Sequence, residues 1–183
     1  MTAQIGANPA VVETSAERLV SGKAFSLGDS YTDYRGFEFV YCKASGTLGK
    51  NMLVKISADY AAIATATLNA PKLNFAHMYG VVASATVWSA DSYGWVQVRG
   101  EARCRVSATG THIGPMLLIA SSATPGCVTP TASASTTTPS VRLVGMTIKA
   151  TATVSSSILV SADSQSAMFL LTYPQPFITD TIA

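Results

Sequence analysis

Apolar and polar residues alternate with a period of two along much of the chain, and that period predicts strands. From Gly36 onward, Phe37, Phe39 and Tyr41 alternate with Glu38, Val40 and Cys42, an aromatic-rich run suited to a pleated surface. Turn residues at Ser45-Gly46-Thr47 and Gly49 follow. Met52, Val54 and Ile56 then alternate with Leu53 and Lys55. The Ala-rich stretch 59–68 leaves helix and strand open, because Ala favours helix while both flanks favour strand. Residues 80–88 read as a strand, and Ala90-Asp91-Ser92-Tyr93-Gly94 as the turn after it. The clearest run comes next. Val96, Val98, Gly100, Ala102, Cys104 and Val106 fall on one face; Trp95, Gln97, Arg99, Glu101, Arg103 and Arg105 fall on the other. This predicts a long half-buried strand, bulged at Gly100, in a hairpin with 80–88.

Residues 113–120 form a short apolar run, and 141–150, 153–161 and 167–173 read as three more strands, the last stopped by Pro174 and Pro176. Between them, 121–140 is low-complexity Ser/Thr/Ala/Pro. No Lys, Arg, Asp or Glu occurs between Val106 and Val141. Pro125, Pro130 and Pro139 deny this stretch a central strand, so it reads as a loop. Residues 1–24 lack apolar periodicity and read as an N-terminal arm, with a short helical turn at 16–20. The expected architecture is all-β: a β-sandwich or barrel forming one domain over 25–177, with the arm, the long loop and a tail at 178–183. No internal repeat of about 20–50 residues is visible.

Composition narrows the picture. Of 183 residues, 48% are hydrophobic and only 12% charged, the opposite of what a disordered chain needs. A surface so poor in charge suits a subunit covered by neighbours better than a free monomer, since interface centres are depleted in charge. The net charge of +2 gives no strong field for nucleic acid. No apolar run approaches the ~20 residues of a membrane span. No basic and then apolar leader opens the chain, so synthesis and folding in a cytoplasm are expected.

Candidate chemistry is sparse. Gly28-Asp29-Ser30 looks like the nucleophile block of GDSL-type hydrolases, but no Asp-x-x-His follows to supply the base that a weak serine nucleophile needs. The block reads instead as an Asx-type turn. His77 and His112 stand far apart and outside any metal-ligand spacing. Cys42, Cys104 and Cys127 are odd in number and widely spaced, which predicts buried thiols rather than a disulfide framework or zinc site. Neither Walker A nor GxGxxG is present. No catalytic, cofactor or metal residue is nominated, and an enzyme is not expected. Arg99, Arg103 and Arg105, with Glu101 among them, form the only basic cluster. Arginine is favoured at interfaces for its planar, forked head, so this row is expected to face an acidic residue of a neighbouring subunit. Trp88, Tyr93 and Trp95 at the hairpin end complete the interface candidates.

The runs Gly36-Phe37-Glu38-Phe39-Val40-Tyr41-Cys42-Lys43-Ala44-Ser45, Tyr79-Gly80-Val81-Val82-Ala83 and Gly94-Trp95-Val96-Gln97-Val98-Arg99-Gly100-Glu101-Ala102 carry a family likeness. Over about residues 25–173 the chain resembles small β-rich structural proteins encoded in the head-gene clusters of tailed bacteriophages. Some of these are capsid decoration, or cement, proteins. The resemblance implies a virion location on the capsid exterior, many copies, contact with the major capsid protein and a homotrimer. It implies no cofactor and no active site. Two alternatives remain. One is another virion component, such as a tail or fibre protein. The other is a small carbohydrate-binding β-sandwich in which Trp88, Tyr93 and Trp95 stack on sugar rings.

Overall fold

The computed structural model describes residues 8–20, 25–64, 78–107, 110–112, 117–120, 126–131, 141–148, 152–154 and 166–178. In chain order the elements are β1 (Val12–Glu13), α1 (Ser15–Val20), β2 (Ser30–Thr32), β3 (Glu38–Ala44), β4 (Leu53–Ile56), β5 (Ala61–Ala64), β6 (Met78–Val82), β7 (Tyr93–Arg105), β8 (Gly110–His112), β9 (Leu117–Ala120), β10 (Val128–Thr131), β11 (Val141–Ile148), β12 (Ala152–Val154) and β13 (Ser166–Ile178). The fold is all-β.

Strands β3, β7, β6, β4 and β5 close into a five-stranded barrel, with β5 returning to β3 as the one parallel pair of the ring. The Ala-rich stretch becomes strand β5 because Ser57–Ala61 form a tight turn. Tyr60 N–H donates to Ser57 O, and Ser57 N–H to Ala61 O. The chain then runs back beside β4, and ladder pairing overrides the helix preference of alanine. Residues 65–68 of the expected run lie outside the described residues.

β7 is the element that organises the molecule. Its first half belongs to the barrel, where Val96 and Val98 join Val40, Cys42, Leu48, Val54, Val82 and Trp88 in the interior. Its second half leaves the barrel and pairs with β13, from Arg99 opposite Thr172 to Arg105 opposite Ser166. β13 carries β11, and β9 and β10 follow, so the same sheet extends beyond the barrel. The inward residues Ala102, Cys104, Ala167, Phe169 and Leu171 pack on Leu53, Tyr79 and Val81 of the barrel's outer wall. β4 and β6 are therefore buried on both faces. A third cluster covers the other side: Phe39, Tyr41 and Trp95 sit under Phe25, Leu27, Tyr31 and Phe37.

The transition within β7 falls near Gly100, which has φ +96. A Cβ there would strike the Phe37 ring, so the left-handed conformation and the close approach both select glycine. The break in the β3 ladder lies slightly earlier: Glu38 pairs with Arg99 but Phe39 with Gln97, leaving Val98 as the extra residue.

Four expectations are corrected. The strand expected over 80–88 ends at Val82, because the Ser84 hydroxyl accepts the Thr86 N–H and turns the chain. The long strand β7 is not simply half-buried: Trp95 and Gln97 on its expected polar face are covered, as are both faces of β3 at Phe39–Cys42. The last strand runs through Pro174 and Pro176 to Ile178. Beyond Thr172 its only partner among the described residues is β11, so the missing proline N–H groups fall where no described strand lies on the other flank. Finally, part of the expected loop is edge strand β10, which holds Pro130 at the end of the sheet order; Gly126 and Cys127 before it are buried, and 121–125 and 132–140 lie outside the described residues.

The described part of the arm lies on its own chain. Val12 and Glu13 pair with Gly94 and Tyr93. Tyr41 Oη donates to the Glu13 carboxylate at 2.7 Å, and Ser15 Oγ donates to Asp91 O at 3.1 Å. Thr14 caps α1: its hydroxyl accepts the Glu17 N–H at 3.2 Å while Glu17 Oε2 accepts the Thr14 N–H at 2.8 Å.

Candidate functional interface

The most exposed large hydrophobic side chain among the described residues sits on the turn between β2 and β3. Tyr34 is 94% exposed. The turn that carries it, Asp33-Tyr34-Arg35-Gly36, is closed by backbone bonds from Gly36 N–H to Asp33 O and from Asp33 N–H to Phe37 O. Asp33 then locks it from inside. Its Oδ1 accepts the N–H groups of Arg35 and Phe37 at 2.9 and 3.0 Å, and its Oδ2 accepts Arg35 Nε at 2.9 Å. Burial raises the Asp33 pKa, but the Phe37 and Arg35 hydrogen bonds outweigh it and hold the carboxyl below its ordinary range. The Arg35 guanidinium lies over the Phe37 ring at 4.4 Å and near the Tyr34 ring at 5.5 Å. A rigid turn thus presents an aromatic ring and a half-exposed cation side by side.

A cleft of about 440 Å³ opens next to this turn, lined among others by Arg35, Phe37, Phe39, Gln97, Glu101 and Arg103. Gln97 is buried there, and its Nε2 donates to the carbonyls of Arg99 and Glu101 at 3.1 and 2.9 Å, bracing the bend of β7.

The arginine row is split by the fold. Arg99 is held by its own chain, at 2.8 Å from the Glu38 carboxylate, and its guanidinium lies 5.9 Å from the Tyr173 ring centre. Tyr173 Oη also donates to Glu38. The acidic partner expected on another subunit is, for Arg99, an intramolecular glutamate. Arg105 donates from Nε to Lys50 O at 2.9 Å. Arg103 is exposed on the rim of the cleft, and half-buried Glu101 lies on the same face. Opposite them on β13 stand Met168 and Leu170, the latter 42% exposed.

The hairpin-end aromatics are mostly interior. Trp88 and Trp95 are buried, and a Cβ at Gly94 would lie 2.5 Å from the Trp88 ring. Trp95 meets Phe25, Tyr31 and Tyr41 edge-on or tilted. Neither indole has an open face for a sugar or a partner; only Tyr93 is partly exposed.

Gly28-Asp29-Ser30 is structural. Asp29 Oδ2 accepts the Ser26 N–H at 2.8 Å, and Gly28 (φ +88) donates its N–H to Tyr41 O. The three cysteines are free and buried. Burial pushes the Cys42 thiol up to about 12 and raises those of Cys104 and Cys127, so none is poised as a nucleophile. His77 lies outside the described residues, as does the side chain of His112. Among the described residues no group of His, Cys, Asp and Glu could hold a metal, and no helix is long and apolar enough to cross a membrane.

Tyr34 and Arg35 were not singled out by the hydrophobic pattern. The signal was present: Asp first and Gly fourth in Asp33-Tyr34-Arg35-Gly36 is the composition of a type I turn. No protein-family model matches the chain, and no curated protein shows significant similarity to it.

Proposed function

We propose that this chain is a structural protein of a tailed-bacteriophage particle, which binds the assembled head lattice through the major capsid protein and hardens it. The observation that carries the reading is how the few charged and reactive groups are used. Asp33, Glu38, Asp91, Arg35, Lys43 and Arg99 pair within the chain, and the thiols are buried. What faces outward among the described residues is mostly Ser, Thr, Ala and isolated apolar side chains, with a few charged groups such as Lys50, Asp59 and Arg103 between them, a surface suited to repeated protein contacts. The head-gene resemblance supplies the setting, and the trimer is the oligomer it implies.

A protein that binds the assembled shell and not free subunits stabilises the shell by mass action, by about 2.7 kcal/mol per site at a hundredfold excess over Kd. The test is to purify heads that lack the chain, add it back, and measure the temperature at which they release DNA. The reading predicts a rise that saturates with bound chain. An unchanged release temperature at saturating concentration contradicts it.

A further inference from the structure

We infer that the turn Asp33-Tyr34-Arg35-Gly36 is the docking element of the chain, inserting the Tyr34 ring into an apolar pocket of a partner protein whose rim offers a carboxylate to Arg35. The inference rests on the lattice-binding reading above and names the contact that reading needs.

Three observations converge on the turn. The first is exposure: Tyr34 is 94% exposed, against 60% for Val87, the next of the large apolar side chains. The second is rigidity. The Asp33 carboxylate takes two backbone N–H groups and the Arg35 side chain, and Arg35 lies on Phe37, itself packed on the Phe39, Tyr41 and Trp95 cluster. A preorganised tip loses little entropy on docking, and tyrosine has only two side-chain torsions to fix. The third is chemistry. Asp33 engages Nε and one terminal nitrogen of Arg35, at 2.9 Å each, while the side chain keeps 53% of its surface open. Its remaining N–H groups can only donate, so the partner must present an acceptor, and a carboxylate is the strongest. The adjoining cleft, with Arg103 on its rim, lengthens the same surface. Tyr and Arg together are the residue types that most often dominate binding energy at an interface.

The test uses the full chain and shells assembled from the major capsid protein of the same phage, with bound protein measured by co-sedimentation. Tyr34→Ala, Arg35→Lys and Val87→Ala are titrated beside the unaltered chain, and the Tm of each is taken. Tyr34→Ala is expected to weaken binding by about tenfold or more, and Arg35→Lys by a smaller factor through loss of the planar fork. Val87→Ala should bind as the unaltered chain does, and Tyr34→Ala and Val87→Ala should keep its Tm, whereas Arg35→Lys also loosens the Asp33 lock and is read only beside its own Tm. If Tyr34→Ala binds normally, or Val87→Ala loses as much, the docking assignment is overturned while lattice binding stands. If the unaltered chain itself fails to bind, lattice binding is overturned and the docking assignment falls with it.

Discussion

Glu38 shows how a single residue ties distant parts of this chain together. Its carboxylate joins β3, Arg99 on β7 and Tyr173 on β13, so it fastens the barrel to the extension sheet. The Tyr173 hydroxyl bond lowers its pKa; burial pulls the other way, and Arg99 adds to the lowering. A carboxyl whose folded pKa lies below its unfolded value, about 4.3 for glutamate, stabilises the fold above that value. That stability is lost as pH falls through the folded pKa. Thermal unfolding of the unaltered chain should therefore worsen more steeply than that of Glu38→Gln between about pH 5 and pH 3. Asp33 is common to both proteins, so its contribution cancels; parallel slopes would count against the Glu38 clamp. Gly100 is the second decisive residue. Gly100→Ala puts a Cβ into the Phe37 ring at φ +96 and should cost about 1–3 kcal/mol in denaturant unfolding. A cost below about 0.5 kcal/mol, typical of neutral surface changes, would mean that the bend tolerates a side chain.

Among the elements, β7 was the most legible in the sequence, and Val96, Val98, Ala102 and Cys104 are buried as its alternation predicts. What alternation could not reveal is that these residues feed two different cores, Val96 and Val98 inside the barrel but Ala102 and Cys104 under β13. Alternation reports that a face is apolar, not what covers it. The same limit hid the burial of Trp95, which depends on Phe25, Leu27, Tyr31 and Phe37 folding back over β3 and β7. The prolines of β13 were read as a stop because a lost N–H is costly where both neighbours are strands; after Thr172 only one described neighbour remains. The candidate docking turn was legible only as a turn, since neither the exposure of Tyr34 nor the lock formed by Asp33 follows from spacing. The pairing of β7 with β13 makes Phe169 the central side chain of the junction, fully buried against the barrel's outer wall. Phe169→Ala should destabilise the whole chain by about 3–5 kcal/mol in one cooperative transition. Loss of the extension sheet alone, with the barrel unfolding later, would show that the two parts are separate units.

At the scale of the molecule, a closed barrel and a flanking extension of its sheet share one long strand, and the reactive groups are held inside. Native chain should be nearly inert to a thiol reagent such as DTNB at neutral pH, and Cys42, Cys104 and Cys127 should all react once it is unfolded in denaturant. Fast labelling of any of the three in the native state would contradict the buried cores drawn here. The proposed function belongs to this scale: a charge-poor β framework, presenting one aromatic turn, is proposed to cover a repeating lattice. The most direct measurement is quantitative mass spectrometry of virions purified from the source system, giving copies of this chain per major capsid protein. The account predicts a ratio near one or a simple fraction of it, such as one third. A handful of copies per particle, or none, would contradict it.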